Sequence, residues 1–438
     1  MNSSRHPCLL LALASSCLIF LLAACGSGAM PSTKGETSPT AVTGTTPTPA
    51  ATTLLVPTTQ TSCPPANTAR ALVTAPLALG SHATIVYLVI DSSATTFKRY
   101  DVTTGQRTEI VRLPGTFIGG AQVSAGGQWV LFTSGSKLNG VKLQVVRIDG
   151  QGLQTLYCDT TRNISHVQWS TDQRLIAFES NSGNTGLIKL LRVTDGTIQT
   201  ALSQPLNTPN AYQLRTWLDP KHLYLTRYDT DVPPDALAVL DLNKGLHQTL
   251  SDLVSVVRPE PGAFQDFDSS YDGAHVFVTH SPCAYACSGP GEITVQPALG
   301  GTQLTIYSSQ AYSVVQVRAV TQKTLLFRVG NHGFSDPSSG DLSHNGLWMI
   351  HTDGTGLARL TIDSANLSTS LNGDSQYPWS NVSRDGSWYA VEQQTSQTSS
   401  HPGTLTLFFG SLSGGTSTRF AEMSDGTQLS IVGWTTLS

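Results

Sequence analysis

Val167-Gln168-Trp169-Ser170-Thr171-Asp172-Gln173-Arg174-Leu175-Ile176-Ala177-Phe178 decides the fold of this chain. A short strand ends at Trp169, a polar turn follows, and a second strand starts at Leu175. Ile188-Lys189-Leu190-Leu191-Arg192-Val193 then supplies a third strand, and an Asp195-Gly196 turn leads to a fourth. Two-residue turns with Gly between apolar runs are the strongest short-range hairpin signal. The same unit returns at intervals of about 45 to 60 residues from residue 80 to the C-terminus. At this period the repeating unit is a four-stranded blade, and the architecture is a β-propeller.

The other copies are more worn. The second reads Val123-Ser124-Ala125-Gly126-Gly127, Trp129-Val130-Leu131-Phe132 and Asp149-Gly150. The fourth has Trp217-Leu218-Asp219-Pro220 and Lys244-Gly245. The fifth has Tyr271-Asp272-Gly273 and Gly300-Gly301. The sixth has Thr321-Gln322-Lys323 and Asp353-Gly354, and the seventh Ser383-Arg384-Asp385-Gly386 and Gly414-Gly415. The first copy lacks its opening strand and begins at Ile85-Val86-Tyr87-Leu88. The chain ends on Ser430-Ile431-Val432-Gly433-Trp434-Thr435, an opening strand with nothing after it, in which Trp434 takes the place of Trp169 and Trp217. The last strand is therefore expected to complete the first blade and remove the exposed edge of an open sheet. The fold expected is all-β, a propeller of seven four-stranded blades closed by the N- and C-terminal strands. Six or eight blades stay open, because the sixth copy is degenerate.

The pattern Trp-Ser-x-Asp-x-x-x-Ile-Ala-Phe, a strand, then Asp-Gly-x-x-x-x-Leu-Thr resembles the repeats of TolB-type propellers. Asp353-Gly354-Thr355-Gly356-Leu357-Ala358-Arg359-Leu360-Thr361 matches its second half closely. The resemblance covers most of residues 80–438 and implies a propeller whose channel or one face binds a partner. The chain departs from TolB itself, which has six blades and an additional domain, so the resemblance carries fold rather than function.

Residues 1–25 read as a targeting segment. Arg5 and His6 precede an apolar run from Leu9 to Leu22 and a small-residue end, the pattern of a cleaved secretory signal. Leu22-Ala23-Ala24-Cys25 resembles the lipobox of bacterial lipoproteins. That resemblance implies that Cys25 becomes the first mature residue and carries acyl chains, each buried CH₂ adding about 0.8 kcal/mol to the anchor. Residues 26–78 are rich in Thr, Pro and Ser, as in Thr45-Thr46-Pro47-Thr48-Pro49, and are expected to form a disordered stalk. Residues 79–438 form the propeller domain. The expected location is the cell envelope, lipid-anchored to the outer face of a bacterial membrane.

With Cys8, Cys17 and Cys25 assigned to the targeting segment, Cys63, Cys158, Cys283 and Cys287 remain. An even count in an exported chain points to disulfides. Cys283 with Cys287 would close a small loop, and Cys63 with Cys158 would staple the end of the stalk to the domain. A metal site at the close pair would have only His280 to add, an incomplete set.

The net charge is −4, from 29 acidic and 25 basic residues among 438, and no basic run occurs. Nucleic acid is therefore not an expected partner. The sequence has no Gly-x-Ser-x-Gly, no His-Glu-x-x-His and no phosphate-binding loop, and no cofactor or metal is assigned. Asp172, Asp272 and Asp385 read as turn residues that accept backbone hydrogen bonds. Trp169, Trp217 and Trp434 read as packing between blades. The stretch from Asn331 to His344 breaks the period. Its His332, Asp336, Asp341 and His344 are weak surface-site candidates, set against an ordinary solvated loop. Asp229, Asp231 and Asp235 are a similar weak calcium candidate, with two prolines in the wrong places. Loops 281–292 and 393–403 are candidate contact surfaces. The function expected is non-catalytic binding of a protein, peptide or glycan. The alternative is an extracytoplasmic polysaccharide lyase or hydrolase on a propeller scaffold.

Overall fold

A computed structural model shows a ring of seven four-stranded antiparallel sheets. It describes residues 59–68, 77 and 79–437, except 137–139, 160–163, 207, 209, 230–231, 259–264, 282–288, 332–340, 365, 372–379, 396–402 and 424–426. Cys25, Asp231, Cys283, Cys287, His332 and Asp336 lie outside the described residues.

Blade 1 takes β1 (His82–Ile90), β2 (Ala94–Asp101) and β3 (Arg107–Pro114). Blade 2 is β4 (Phe117–Val123), β5 (Trp129–Ser136), β6 (Gly140–Arg147) and β7 (Gln154–Asp159). Blade 3 is β8 (Ser165–Trp169), β9 (Leu175–Ser182), β10 (Thr185–Arg192) and β11 (Ile198–Pro205). Blade 4 is β12 (Tyr212–Asp219), β13 (His222–Asp229), β14 (Val232–Asp241) and β15 (Val254–Val257). Blade 5 is β16 (Asp266–Ser269), β17 (His275–His280), β18 (Gly291–Pro297) and β19 (Leu304–Ser309). Blade 6 is β20 (Val314–Ala319), β21 (Thr324–Val329), β22 (Gly346–His351) and β23 (Ala358–Arg359). Blade 7 is β24 (Leu367–Ser370), β25 (Trp388–Thr395), β26 (Leu405–Ser411) and β27 (Thr418–Met423). β28 (Gln428–Leu437) then pairs with β1, Trp434 opposite Ile85, and completes blade 1. The closing strand and the count of seven are as the repeat predicts.

The second strand of each blade carries a run of at least three apolar residues, where both its faces are covered. Val130, Ile176, Leu223, Val276, Leu325 and Ala390 are fully buried. The core is not one mass but seven apolar clusters, one per seam between neighbouring blades. Trp169 fills the seam of blades 2 and 3, and Trp217 that of blades 3 and 4. Trp434 closes the last seam against Phe409 and Phe420 of blade 7. Each such ring buries a large apolar area, which is why a strand-terminal Trp recurs.

Residues 59–63, within the predicted stalk, lie along blade 2. Gln60 forms a parallel bridge with Gln154, and Cys63 is disulfide-bonded to Cys158 with Cα atoms 5.7 Å apart. Closing a loop of 95 residues in this way stabilises the fold chiefly by restricting the unfolded chain.

Candidate functional site

The first strand of every blade (β28, β4, β8, β12, β16, β20 and β24) ends its sheet, and β28, β4, β8 and β12 lie side by side in turn, as do β16 and β20. These strands surround the axis and present their unpaired edges to the channel. All run in the same sense, so the channel has two different ends. At one end the first strand turns into the second and the third into the fourth. At the other the chain enters each blade and the second strand crosses to the third.

The turn end is regular in blades 3, 5 and 7. Ser170, Ser270 and Ser383 hydroxyls donate to Asp172, Asp272 and Asp385, whose carboxylates also accept the backbone N–H of Arg174, Ala274 and Ser387. The hydrogen bond from Ser270 holds the Asp272 carboxyl below the usual carboxylate range. These aspartates shape turns. Blade 2 has Gly126 in the aspartate position, where Gln173 of blade 3 lies against it, and Arg384 of blade 7 packs over the next residue, Gly127. Its guanidinium donates to the carbonyls of Ser124 at 3.1 Å and Ala125 at 2.8 Å. Gly126 N–H also donates to the Gln173 side chain of blade 3 at 3.2 Å. Turns of blades 2, 3 and 7 thus converge, and burial pushes the Arg384 pKa down.

The wall between blades 5 and 6 carries a buried charge cluster. Arg318 of β20 donates to Asp266 of β16, and Asp268 accepts from Ala319 N–H at 2.9 Å. Burial raises the Asp268 pKa to about 7, against the lowering pull of Arg318.

The entry end is irregular. Crossings between second and third strands are short in blades 1–4 and long in blades 5–7, where they span 281–290, 330–345 and 396–404. Asn331 pins the base of two of them. Its side chain accepts from Gly289 and Ser313 N–H and donates to the carbonyl of Ala311 at 2.7 Å. Of the weak candidates, Asp341 and His344 meet at Tyr312 of this base. The Tyr312 hydroxyl donates to Asp341 at 3.3 Å, and the His344 ring stacks on Tyr312 at 4.1 Å with Trp348 on its far side at 6.0 Å. Both side chains are engaged in holding the loop on the outer part of blade 6. The backbones of Asp229 and Asp235 lie on β13 and β14.

At the same end, blades 2–4 form a cleft of about 140 Å³ at the mouth. It is lined by Gly119, Gly120, Thr133, His166, Gln168 and Arg215, among others. Each of the three inner strands has a bulge there. Gly119 in β4, His166 and Val167 in β8, and Arg215 in β12 have no partner in the ladder. A bulge re-aims its side chain and frees its backbone groups. His166 has φ +47°, a left-handed conformation unusual for a residue with a side chain. Its Nδ1 lies 2.8 Å from Glu179, whose other oxygen accepts Leu214 N–H at 2.6 Å. Gln122 ties the walls together, donating to Gln168 at 3.3 Å and accepting from Trp169 N–H at 2.8 Å. Arg215 forms no ion pair among the described residues, and its buried Nε has no hydrogen-bond partner. Phe117, 47% exposed, stands at the rim on the same strand as Gly119.

Sequence reasoning did not select His166 or Arg215. The available signal was positional: they stand three and two residues before Trp169 and Trp217 in the inner strand. The equivalent bulges of blades 6 and 1 hold Val315 and Val432.

No protein family matches the sequence, and no curated protein matches it. Among solved structures, TolB from Acinetobacter baumannii is 13% identical with a TM-score of 0.42, the match covering 63% of each chain. The chain thus spans less than two thirds of that TolB. The propeller of the Trilobed protease from Pyrococcus furiosus is 9% identical over 78% of this chain and 93% of its own, with a TM-score of 0.47. A prolyl endopeptidase is 10% identical over 80% of this chain and 50% of its own, with a TM-score of 0.51. Likeness at this distance is likeness of fold. By its closed ring of seven four-stranded sheets, the chain is, in fold, a β-propeller of seven blades.

Proposed function

We propose that this protein is a lipid-anchored component of the cell envelope that binds a protein or peptide partner at the entry end of its channel, without catalysis. The observation that supports it is the difference between the two ends. Among the described residues, the entry end combines long connections between strands, freed backbone edges and an unpaired cation around a cleft. Binding residues concentrate on irregular segments held by a rigid scaffold. Anchoring rests on Leu22-Ala23-Ala24-Cys25 and the Thr/Pro-rich residues that follow it.

A photo-crosslinking residue at Phe117 should capture a partner in the native envelope, and one at Asp195, in a turn of the opposite end, should not. Equal capture from both positions, or none from Phe117, would overturn the assignment of the binding end. Cys25→Ala should move the protein from the membrane to the soluble fraction, and unchanged fractionation would overturn the anchor.

A further inference from the structure

We infer that the mouth cleft of blades 2–4 binds a carboxylate on an extended peptide, with Arg215 as the residue that recognises the charge. This deepens the binding reading above and rests on it.

Arg215 is the starting point. A guanidinium offers five donors in a planar fork and stays charged at any physiological pH. Such a group, half-buried, ordinarily meets a carboxylate of its own chain, because an unpaired polar atom out of water costs about 1–3 kcal/mol. Arg215 has none among the described residues, although Glu179 binds the backbone N–H of its neighbour Leu214. Glu179 is already committed, one oxygen to Leu214 N–H and the other to Ser165 and His166. The blade 4 cation is thus left for a group from outside. A carboxylate matches the fork in a bidentate pair.

The remainder of the cleft suits a peptide. β4 is an edge strand whose channel side is unpaired, and Gly119 and Gly120 put no side chain between that edge and a ligand. A Cβ at Gly119 would fall 2.9 Å from Thr133 Oγ1, so the backbone here is as close to β5 as it can be. An extended segment can add its own hydrogen bonds to such an edge, with side-chain pockets giving selectivity. Phe117, at the outer end of the same strand, offers an apolar surface to the next residue of the ligand. His166 is fixed by Glu179 in a strained backbone conformation, the sort of cost that persists where a side chain must be held in one place. The equivalent bulge positions of blades 1 and 6 are Val432 and Val315, so the polar set is confined to one arc of the ring.

Calorimetric titration of the full-length protein with four acetylated Ser/Ala/Gly hexapeptides tests this. One has a free C-terminal carboxylate, one is its C-terminal amide, one is an amide carrying an internal Asp, and one carries Lys there instead. The free acid or the Asp peptide should bind at least about tenfold more tightly than the neutral amide, and which of the two does so identifies terminal or side-chain carboxylate. Arg215→Gln should reduce the acidic peptide to the level of the amide, and Arg215→Lys should restore part of the preference. Thermal melting of both variants should match wild type. Equal binding of all four peptides, no binding of any, or an acid preference that survives Arg215→Gln would overturn the inference. Partner capture from Phe117 separates the two levels: if Arg215→Gln captures the same partner as wild type, binding at the mouth stands and the carboxylate site falls.

Discussion

The turn end and the entry end of the channel are made by the same seven units, yet they obey different rules. At the turn end blades 3, 5 and 7 repeat one solution. A serine hydroxyl and an aspartate carboxylate satisfy the backbone of a tight turn, as at Ser170–Asp172 and Ser270–Asp272. Blades 2, 4 and 6 depart from it: Asp219 alone holds the blade 4 turn, Thr321 the blade 6 turn, and in blade 2 Arg384 packs over Gly127 and ties turns together. At the entry end blades 2, 3 and 4 differ from one another. Across the ring crossings vary in length, the bulge residue changes from Gly to His to Arg to Val, and Arg215 is left without a partner among the described residues. Periodic chemistry marks the end that builds the ring. Aperiodic chemistry marks the end free to specialise.

The largest effect is expected where the ring is closed. Removing residues 428–438 takes away β28, with Trp434, Val432 and Ile431 from two seams. It exposes the β1 edge and leaves blade 1 with three strands. The truncated chain should lose its cooperative thermal transition, since even one buried Trp truncated to Ala costs about 3–5 kcal/mol. A melting curve like that of the full chain would break the closure and the comparison with it.

The turn end was legible in the sequence because its rules are local. Asp-Gly turns, a strand-ending Trp and an apolar second strand each leave a mark within a few residues, and together they predicted the blades and their closure. The entry end was not, because its chemistry is made by residues from different blades. Gly119, His166 and Arg215 are adjacent only once the ring forms, and nothing in the sequence marks a bulge that re-aims a side chain. Asp341 and His344 stood out because they interrupt the period. The structure gives them a local task, stacking and hydrogen bonding at Tyr312. An insertion attracts attention in a sequence for its irregularity, whereas a substitution inside a regular strand does not.

A second effect belongs to the channel wall between the ends. Burial holds the Asp268 carboxyl at about 7, above its ordinary 3.8. Between those values the folded chain keeps a proton that the unfolded chain has released. Stability contributed by this group therefore falls as pH rises through the interval, and the loss is complete above about pH 7. The slope is at most about 1.4 kcal/mol per pH unit for one proton. Urea midpoints should be lower at pH 8 than at pH 5, and Asp268→Asn should flatten the difference. A variant with the wild-type slope would remove Asp268 as its source.

The smallest effect sharpens the contrast between the ends most directly. Gly127 and His166 both hold left-handed backbone, at φ +71° and +47°. In the blade 2 turn glycine meets the requirement. Gly127→Ala would strain that conformation and bring a Cβ within 2.9 Å of the Arg384 guanidinium, so it should destabilise by more than the 1–2 kcal/mol or so of the backbone term alone. At the entry end a histidine bears the strain. His166→Gly relieves about the same backbone cost and gives up a partly exposed contact with Glu179 worth about 0–1 kcal/mol, so its melting temperature should stay close to wild type. Capture of the partner from Phe117 should fall nonetheless. If His166→Gly unfolds the protein as readily as Gly127→Ala does, the strained histidine is part of the ring's construction rather than of its binding end.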